Sequence, residues 1–169
     1  MHADEAPAAM MALDAELKLI GRSGERIVKA GDFFLDMLTT ALEPAELLAE
    51  IRVPAQPSHS GGTYLKMHQK ASGFAIVGVA AQVTVDLSQV CQAVAVGITG
   101  VGSKAYRAKS VEMELKGKKL DSAIIKQASK KAAQGVDALS DLHASTEYRS
   151  HLACVYTRKA LETALARAE

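Results

Sequence analysis

Between Thr63 and Ile98 the apolar positions alternate. Val77, Val79, Ala81, Val83 and Val85 fall on one side, and Gly78, Ala80, Gln82, Thr84 and Asp86 on the other. Strand side chains alternate faces with period 2, so this pattern predicts a strand with one well-buried face. Ser88 and Gln89 make a polar break, after which Val94, Val96 and Ile98 alternate against Ala93, Ala95 and Gly97. Two such runs joined by a few polar residues predict an antiparallel hairpin. Thr63 to Gln69 predicts a third strand, with Tyr64, Lys66 and His68 on one face. The polar, kinked segment Lys70-Ala-Ser-Gly-Phe74 lies between that strand and Val77, and is the first place to look for chemistry.

Upstream, residues 7–13 read as a helix, with Pro7 in a first turn where a missing N–H costs little. Ala15 to Ile20 and Arg26 to Ala30 flank the turn signal Gly21-Arg-Ser-Gly24, which predicts a second hairpin. A hairpin with one short helix in front of it buries too little of its own face, so further protein is expected ahead of it. Asp32 to Leu38 reads as a short amphipathic turn, 39–44 as a loop, and Glu46 to Pro54 as a strand. Residues 55–62, with two Ser and two Gly beside Pro57, read as a linker and a boundary.

Downstream, a turn from Gly100 leads to a helix over 110–116. Asp121 caps a helix carrying Ile124, Ile125, Ala128 and Ala132 on one face, with Gly135 at its C′ position. Ser145 caps a final helix running to about Arg167. There Tyr148, Leu152, Val155 and Tyr156 share one side and Cys154, Leu161 and Leu165 lie roughly opposite, so two neighbours are expected to grip it. The fold class is α+β: a three-stranded antiparallel sheet followed by three helices, preceded by a smaller N-terminal unit.

Composition narrows the function. A net charge of +1 over 169 residues makes no case for nucleic acid or an acidic membrane surface. No apolar run reaches the ~18–20 residues of a membrane helix, and the acidic start is unlike a secretory signal. The two cysteines, Cys91 and Cys154, have no CxxC neighbour and read as small buried hydrophobes in a reduced, cytoplasmic context. Trp is absent, so the core must be built from Ala, Val, Leu and Ile.

Four groups invite a chemical reading. Gly97-Ile-Thr-Gly-Val-Gly-Ser103 follows a strand and precedes a helix, but its order is wrong for a dinucleotide fingerprint and no P-loop lysine follows, so a plain turn is expected. Asp141, His143 and Ser145 are too close in sequence for triad geometry. His2 and Asp4 are too few to define a metal site, and no metal is expected. Lys66, His68 and Lys70 make a positive strip, read either as a solvated edge or as a site for an anionic or electron-rich ring. Spacing leaves both open.

Three stretches carry a resemblance. Tyr64-Leu-Lys-Met-His-Gln-Lys-Ala-Ser-Gly-Phe-Ala-Ile-Val-Gly-Val-Ala-Ala-Gln-Val-Thr-Val-Asp86 resembles the opening of the C-terminal domain of the FAD-containing medium subunits of molybdenum hydroxylases, the carbon monoxide dehydrogenase and xanthine dehydrogenase relatives. Gly97 to Ala108 resembles that family's strand-to-helix turn. Asp141 to Ala164 resembles its final helix, in which the order Asp-x-x-x-Ser-x-x-Tyr-Arg is distinctive. Upstream, residues 2–34 and 39–54 resemble the end of the family's FAD-binding lobe and the strand leading out of it.

The resemblance implies a division into residues 1–56, a C-terminal remnant of the FAD-binding lobe, and residues 57–169, the C-terminal domain of such a medium subunit. It implies a flavoprotein that helps seat FAD and passes electrons from iron–sulfur clusters to an external acceptor. Hydroxylation itself would occur elsewhere, so no catalytic residue is assigned and the chain is not expected to act alone. Implied partners are a molybdopterin-containing large subunit and a [2Fe-2S] small subunit. By position, Lys66 and Lys70 match the family's basic residues near the flavin, and His2 and Asp4 match the stretch lining the cofactor. The family's two glycine-rich pyrophosphate loops are not in this sequence, and the segment after Asp4 is short and lacks the acidic residue placed before the helix. Either a truncated or split subunit is therefore expected, or one that needs a partner chain to supply the missing lobe. The alternative is a docking or self-associating module that binds no FAD on its own.

Overall fold

The computed structural model describes residues 5–168. A helix, α1 (Glu5–Ala12), leads into a small antiparallel sheet in the order β2-β1-β5, built from β1 (Glu16–Gly21), β2 (Gly24–Lys29) and β5 (Leu47–Arg52). Between β2 and β5 lie a single turn, α2 (Ala30–Phe33), and a short ribbon of β3 (Phe34–Asp36) and β4 (Thr39–Thr40). Leu17 and Leu19, fully buried, pack this unit with Met11, Ala30 and Phe33.

The larger unit is an antiparallel sheet in the order β6-β7-β8-β9: β6 (Ser60–His68), β7 (Ala75–Val85), β8 (Cys91–Thr99) and β9 (Tyr106–Arg107). The register pairs Val79 with Ile98, Ala81 with Val96 and Val83 with Val94. These side chains form the main core with α3 (Lys109–Leu115), α4 (Ser122–Ser129) and α5 (Thr146–Ala168). The opposite face is built from small residues, and α1 lies on it: Ala8 and Ala12 pack against Ala80, with Tyr64 alongside. At Gly97 even a Cβ would stand 2.1 Å from the Ala8 carbonyl oxygen, so glycine there is what lets the helix backbone reach the sheet. The sheet is thus covered on both faces.

Several expectations need correction. The sheet has four strands, because Tyr106 and Arg107 pair with Ile98 and Gly97; two residues are too few to show a period. The loop over 39–44 contains β4, and the linker over 55–62 ends early, since Ser60, Gly61 and Gly62 already pair with Thr84, Val83 and Gln82. The helix capped by Asp121 closes at Ser129 and continues as turns to Gly135 (φ +77°). Helix α5 buries one broad stripe, Arg149, Leu152, Ala153, Thr157, Ala160, Leu161 and Ala164, in place of the two expected sides, although two neighbours, the sheet and α4, do grip it. Leu152 and Leu161, nine residues or about two and a half turns apart, lie at its opposite edges, while Tyr148 is exposed.

Candidate functional site

The end of β6 carries the positive strip. Lys66 lies on the face covered by α1, half-buried, and its Nζ forms an ion pair with Glu5, the first described residue of that helix. The same ammonium donates to the Gly73 carbonyl at 3.1 Å. An ammonium has three N–H donors, and among the described residues two acceptors engage it. Glu5 stands within the first turn of the helix, where a carboxylate also complements the helix dipole.

The segment after β6 is a built turn. The Gln69 N–H donates to the Phe74 carbonyl at 2.9 Å, and the Gly73 N–H to the Gln69 carbonyl at 2.8 Å. Gln69 Oε1 accepts from the backbone N–H and the hydroxyl of Ser72, at 2.7 and 2.8 Å. Gly73 adopts φ +75°, a conformation L side chains rarely take. This geometry leaves Lys70 exposed in the turn, His68 exposed at the strand end and Phe74 about half exposed beside them. Lys66 and Lys70 therefore flank one short turn, whereas His2 and Asp4, matched to the cofactor-lining stretch, lie outside the described residues. Arg107 is a second tie between α1 and the sheet. It donates to both Glu112 oxygens, at 2.6 and 2.9 Å, to Asp14 at 2.5 Å and to the Met11 carbonyl at 3.1 Å. A cleft of about 830 Å³ opens there, at the end of α1 away from Lys66, and is lined by both charge signs.

The motif Asp-x-x-x-Ser-x-x-Tyr-Arg is a structural bolt. Arg149, 5% exposed, donates through Nη1 to the carbonyls of Ile76 and Gly100, both at 2.7 Å, and through Nη2 to Asp141 at 2.7 Å. Asp141 also accepts from the backbone N–H groups of His143 and Ala144. The Arg149 guanidinium, helped by those N–H groups, holds the Asp141 carboxyl down to about 2. Ser145 Oγ accepts from the Tyr148 N–H as the cap of α5. Asp141 and Ser145 are thus engaged in the fold, as the spacing argument expects, and Gly100 is a turn whose carbonyl is committed to Arg149. Among the described residues no group of three or more His, Cys, Asp or Glu side chains could hold a metal ion, and no helix is long and apolar enough to cross a membrane.

Comparison with known proteins decides the family. Residues 62–164 match the CO dehydrogenase flavoprotein C-terminal domain, and residues 1–56 match the FAD binding domain in molybdopterin dehydrogenase. The chain belongs to the CO dehydrogenase flavoprotein family. It is 34% identical to the carbon monoxide dehydrogenase medium chain of Afipia carboxidovorans, over 98% of this chain and 57% of that protein. It is 31% identical to the 6-hydroxypseudooxynicotine dehydrogenase complex subunit alpha of Paenarthrobacter nicotinovorans, over 99% of this chain and 57% of that protein. The fold superposes on a chain of Cu,Mo-CO dehydrogenase with a TM-score of 0.89 at 34% identity, covering 96% of this chain and 56% of that one. For carbon monoxide dehydrogenase from Hydrogenophaga pseudoflava the TM-score is 0.90 at 31% identity, covering 95% and 56%. The chain therefore spans a little over half the length of these relatives.

Proposed function

We propose that this chain is part of the flavoprotein (medium) subunit of a molybdenum hydroxylase, helping to seat FAD and to pass electrons from iron–sulfur clusters to an external acceptor. In this reading residues 1–56 belong to the FAD-binding lobe and 57–169 form the C-terminal domain. The partners are a molybdopterin-containing large subunit and a [2Fe-2S] small subunit in a cytoplasmic assembly, with the rest of the FAD lobe supplied by further polypeptide. The observation that carries the reading is the Lys66–Glu5 ion pair, which brings the segment matching the FAD binding domain against the sheet of the flavoprotein C-terminal domain.

The donor set suits one part of FAD. Lys66 and Lys70 offer cations, which favour the negative charge that develops on a reduced flavin ring. Bound flavin would supply the one- and two-electron chemistry; the chain's own task is to position charge at the ring edge. Glu5 orients Lys66 and offsets part of its charge. Backbone donors for the pyrophosphate would come from glycine-rich loops outside this sequence. The test is Lys66→Ala in the complex reconstituted with the remaining medium-chain polypeptide. Flavin content is expected to fall, or the flavin potential to become more negative. If both stay unchanged, Lys66 has no place at the flavin.

A docking or self-associating module without FAD is the second reading. It is favoured by β5, whose six residues are all exposed, Leu47, Leu48 and Ile51 among them. Ten of the fifteen large apolar side chains exposed among the described residues lie between Ile20 and Val53, so this sheet calls for a cover.

A further inference from the structure

A second surface lies away from the flavin turn, between α4 and α5. It is an open groove of about 420 Å³ lined by Lys126, Ser129, Lys130, His151, Cys154, Val155 and Arg158. Half-buried Cys154 and Val155 form its floor. Burial holds the Cys154 thiol above its ordinary pKa, so the floor carries no thiolate.

The rim is cationic and uncompensated. No carboxylate lines the groove. Several basic side chains elsewhere are matched, among them Arg26 with Glu46, Arg107 with Glu112, Lys131 with Glu114 and Arg149 with Asp141. Among the described residues no ion pair involves Lys126, Lys130 or Arg158, and Lys130 Nζ spends its bond on Gln127 Oε1, at 2.9 Å. Lys126 lies in the last turn of α4 and Lys130, four residues on, is its C-cap, so the two stand about one turn apart. His151, Cys154, Val155 and Arg158 follow at offsets of three, four and seven along one face of α5. At 1.5 Å per residue that row is about 10 Å long. An apolar floor on α5 is thus bordered by Lys126 and Lys130 on one side and by Arg158 at one end.

We propose that this groove docks an acidic, amphipathic helical segment of a partner protein. Leucine-like side chains spaced by three and four would enter the trough, as in helix-in-groove recognition. Carboxylates on the segment would meet Lys126 and Lys130 on the α4 side and Arg158 on α5, which fixes register and speeds encounter. The proposal is independent of flavin binding, since no groove residue lies in the turn at Lys66.

The test is fluorescence anisotropy with the full 169-residue chain and a labelled synthetic helix carrying Leu at i, i+3, i+4 and i+7 and Glu elsewhere. Saturable binding that weakens with added salt is expected. K126E/K130E/R158E should weaken it at least about tenfold, while Lys109→Glu, outside the groove, leaves it unchanged. A peptide of the same composition with its leucines scattered around the helix should bind at least about tenfold more weakly. Circular dichroism checks folding; if the triple variant unfolds, K126Q/K130Q replaces it and should weaken binding about threefold. Binding insensitive to these variants, or equal for the scattered peptide, overturns the proposal. So does failure of the peptide to bind, and if phosphatidylglycerol vesicles then bind through the same cations the surface is a lipid one.

Discussion

Arg149→Met should be the most damaging single change outside the apolar core. Methionine replaces the apolar stem of the side chain and removes every donor. Three charge-assisted bonds are lost, to the carbonyls of Ile76 and Gly100 and to Asp141, each at 2.7 Å. A carbonyl left unpaired in the interior costs about 1–3 kcal/mol. The two carbonyls together set a range of about 2–6 kcal/mol, and Asp141 returns to water because its side chain is 43% exposed. One gain offsets part of the loss: Arg149 Nε is buried with no partner among the described residues, and methionine removes that orphan. A net loss of about 3–4 kcal/mol is expected, within the range for breaking a buried charged pair. With a urea slope of about 2 kcal/mol/M for a chain of this size, the midpoint should fall by about 1.5–2 M with little change in slope. Arg149→Lys should recover part of this, since a point charge cannot replace the planar fork. A loss below about 1 kcal/mol for Arg149→Met would show that water or neighbouring donors satisfy these carbonyls, and would refute the bolt.

Two further outcomes follow from the packing and the charges. Gly61→Ala places a Cβ 2.1 Å from the Ala164 carbonyl oxygen and 2.6 Å from the Ala168 nitrogen, both backbone, so α5 must shift off β6; a loss of about 1–3 kcal/mol should appear as a lowered thermal midpoint, and an unchanged midpoint would contradict this packing. Acid should destabilise the chain, because Glu46 beside Arg26, Glu114 between Lys118 and Lys131, and Asp141 beside Arg149 are all held at about 2 when folded. Their folded values lie below the unfolded values near 4, so their contribution is present above about pH 4 and lost as pH falls toward 2. Urea midpoints at a series of pH values read this directly, Asp141→Asn should flatten part of the slope, and a midpoint constant across that window would contradict the three pairs.

The strands and caps were legible because each rests on a local rule. Period-2 alternation marked β7 and β8, Asp121 capped α4 through the Ile124 N–H at 2.8 Å, and Ser145 capped α5. The buried face of α5 was hidden because it is mostly Ala and Thr with one Arg; bulk alone points to Tyr148 and Val155, while close helix–sheet packing selects small side chains. The same logic hid where α1 docks, since its seat on the sheet is made by Gly97 and Ala80 rather than by hydrophobic bulk. At the candidate site, Lys66 and Lys70 stood out as a strip, but the Lys66 partner, Glu5, is 61 residues away and no periodicity links them. The acidic first turn of α1 was the one local signal. Arg107 was missed for the same reason: its partner Asp14 lies 93 residues away, in the turn after α1.

The absorption spectrum from 300 to 600 nm tests the central claim most directly. It is recorded on the purified chain after FAD is added and the excess removed, alone and together with a polypeptide carrying the glycine-rich part of a medium subunit's FAD domain. The account predicts little or no flavin band for the chain alone, and a retained band for the pair that is absent from the added polypeptide by itself. A flat spectrum for the pair, or a band no larger than that polypeptide retains alone, would contradict a role in seating FAD and leave the docking module as the standing description.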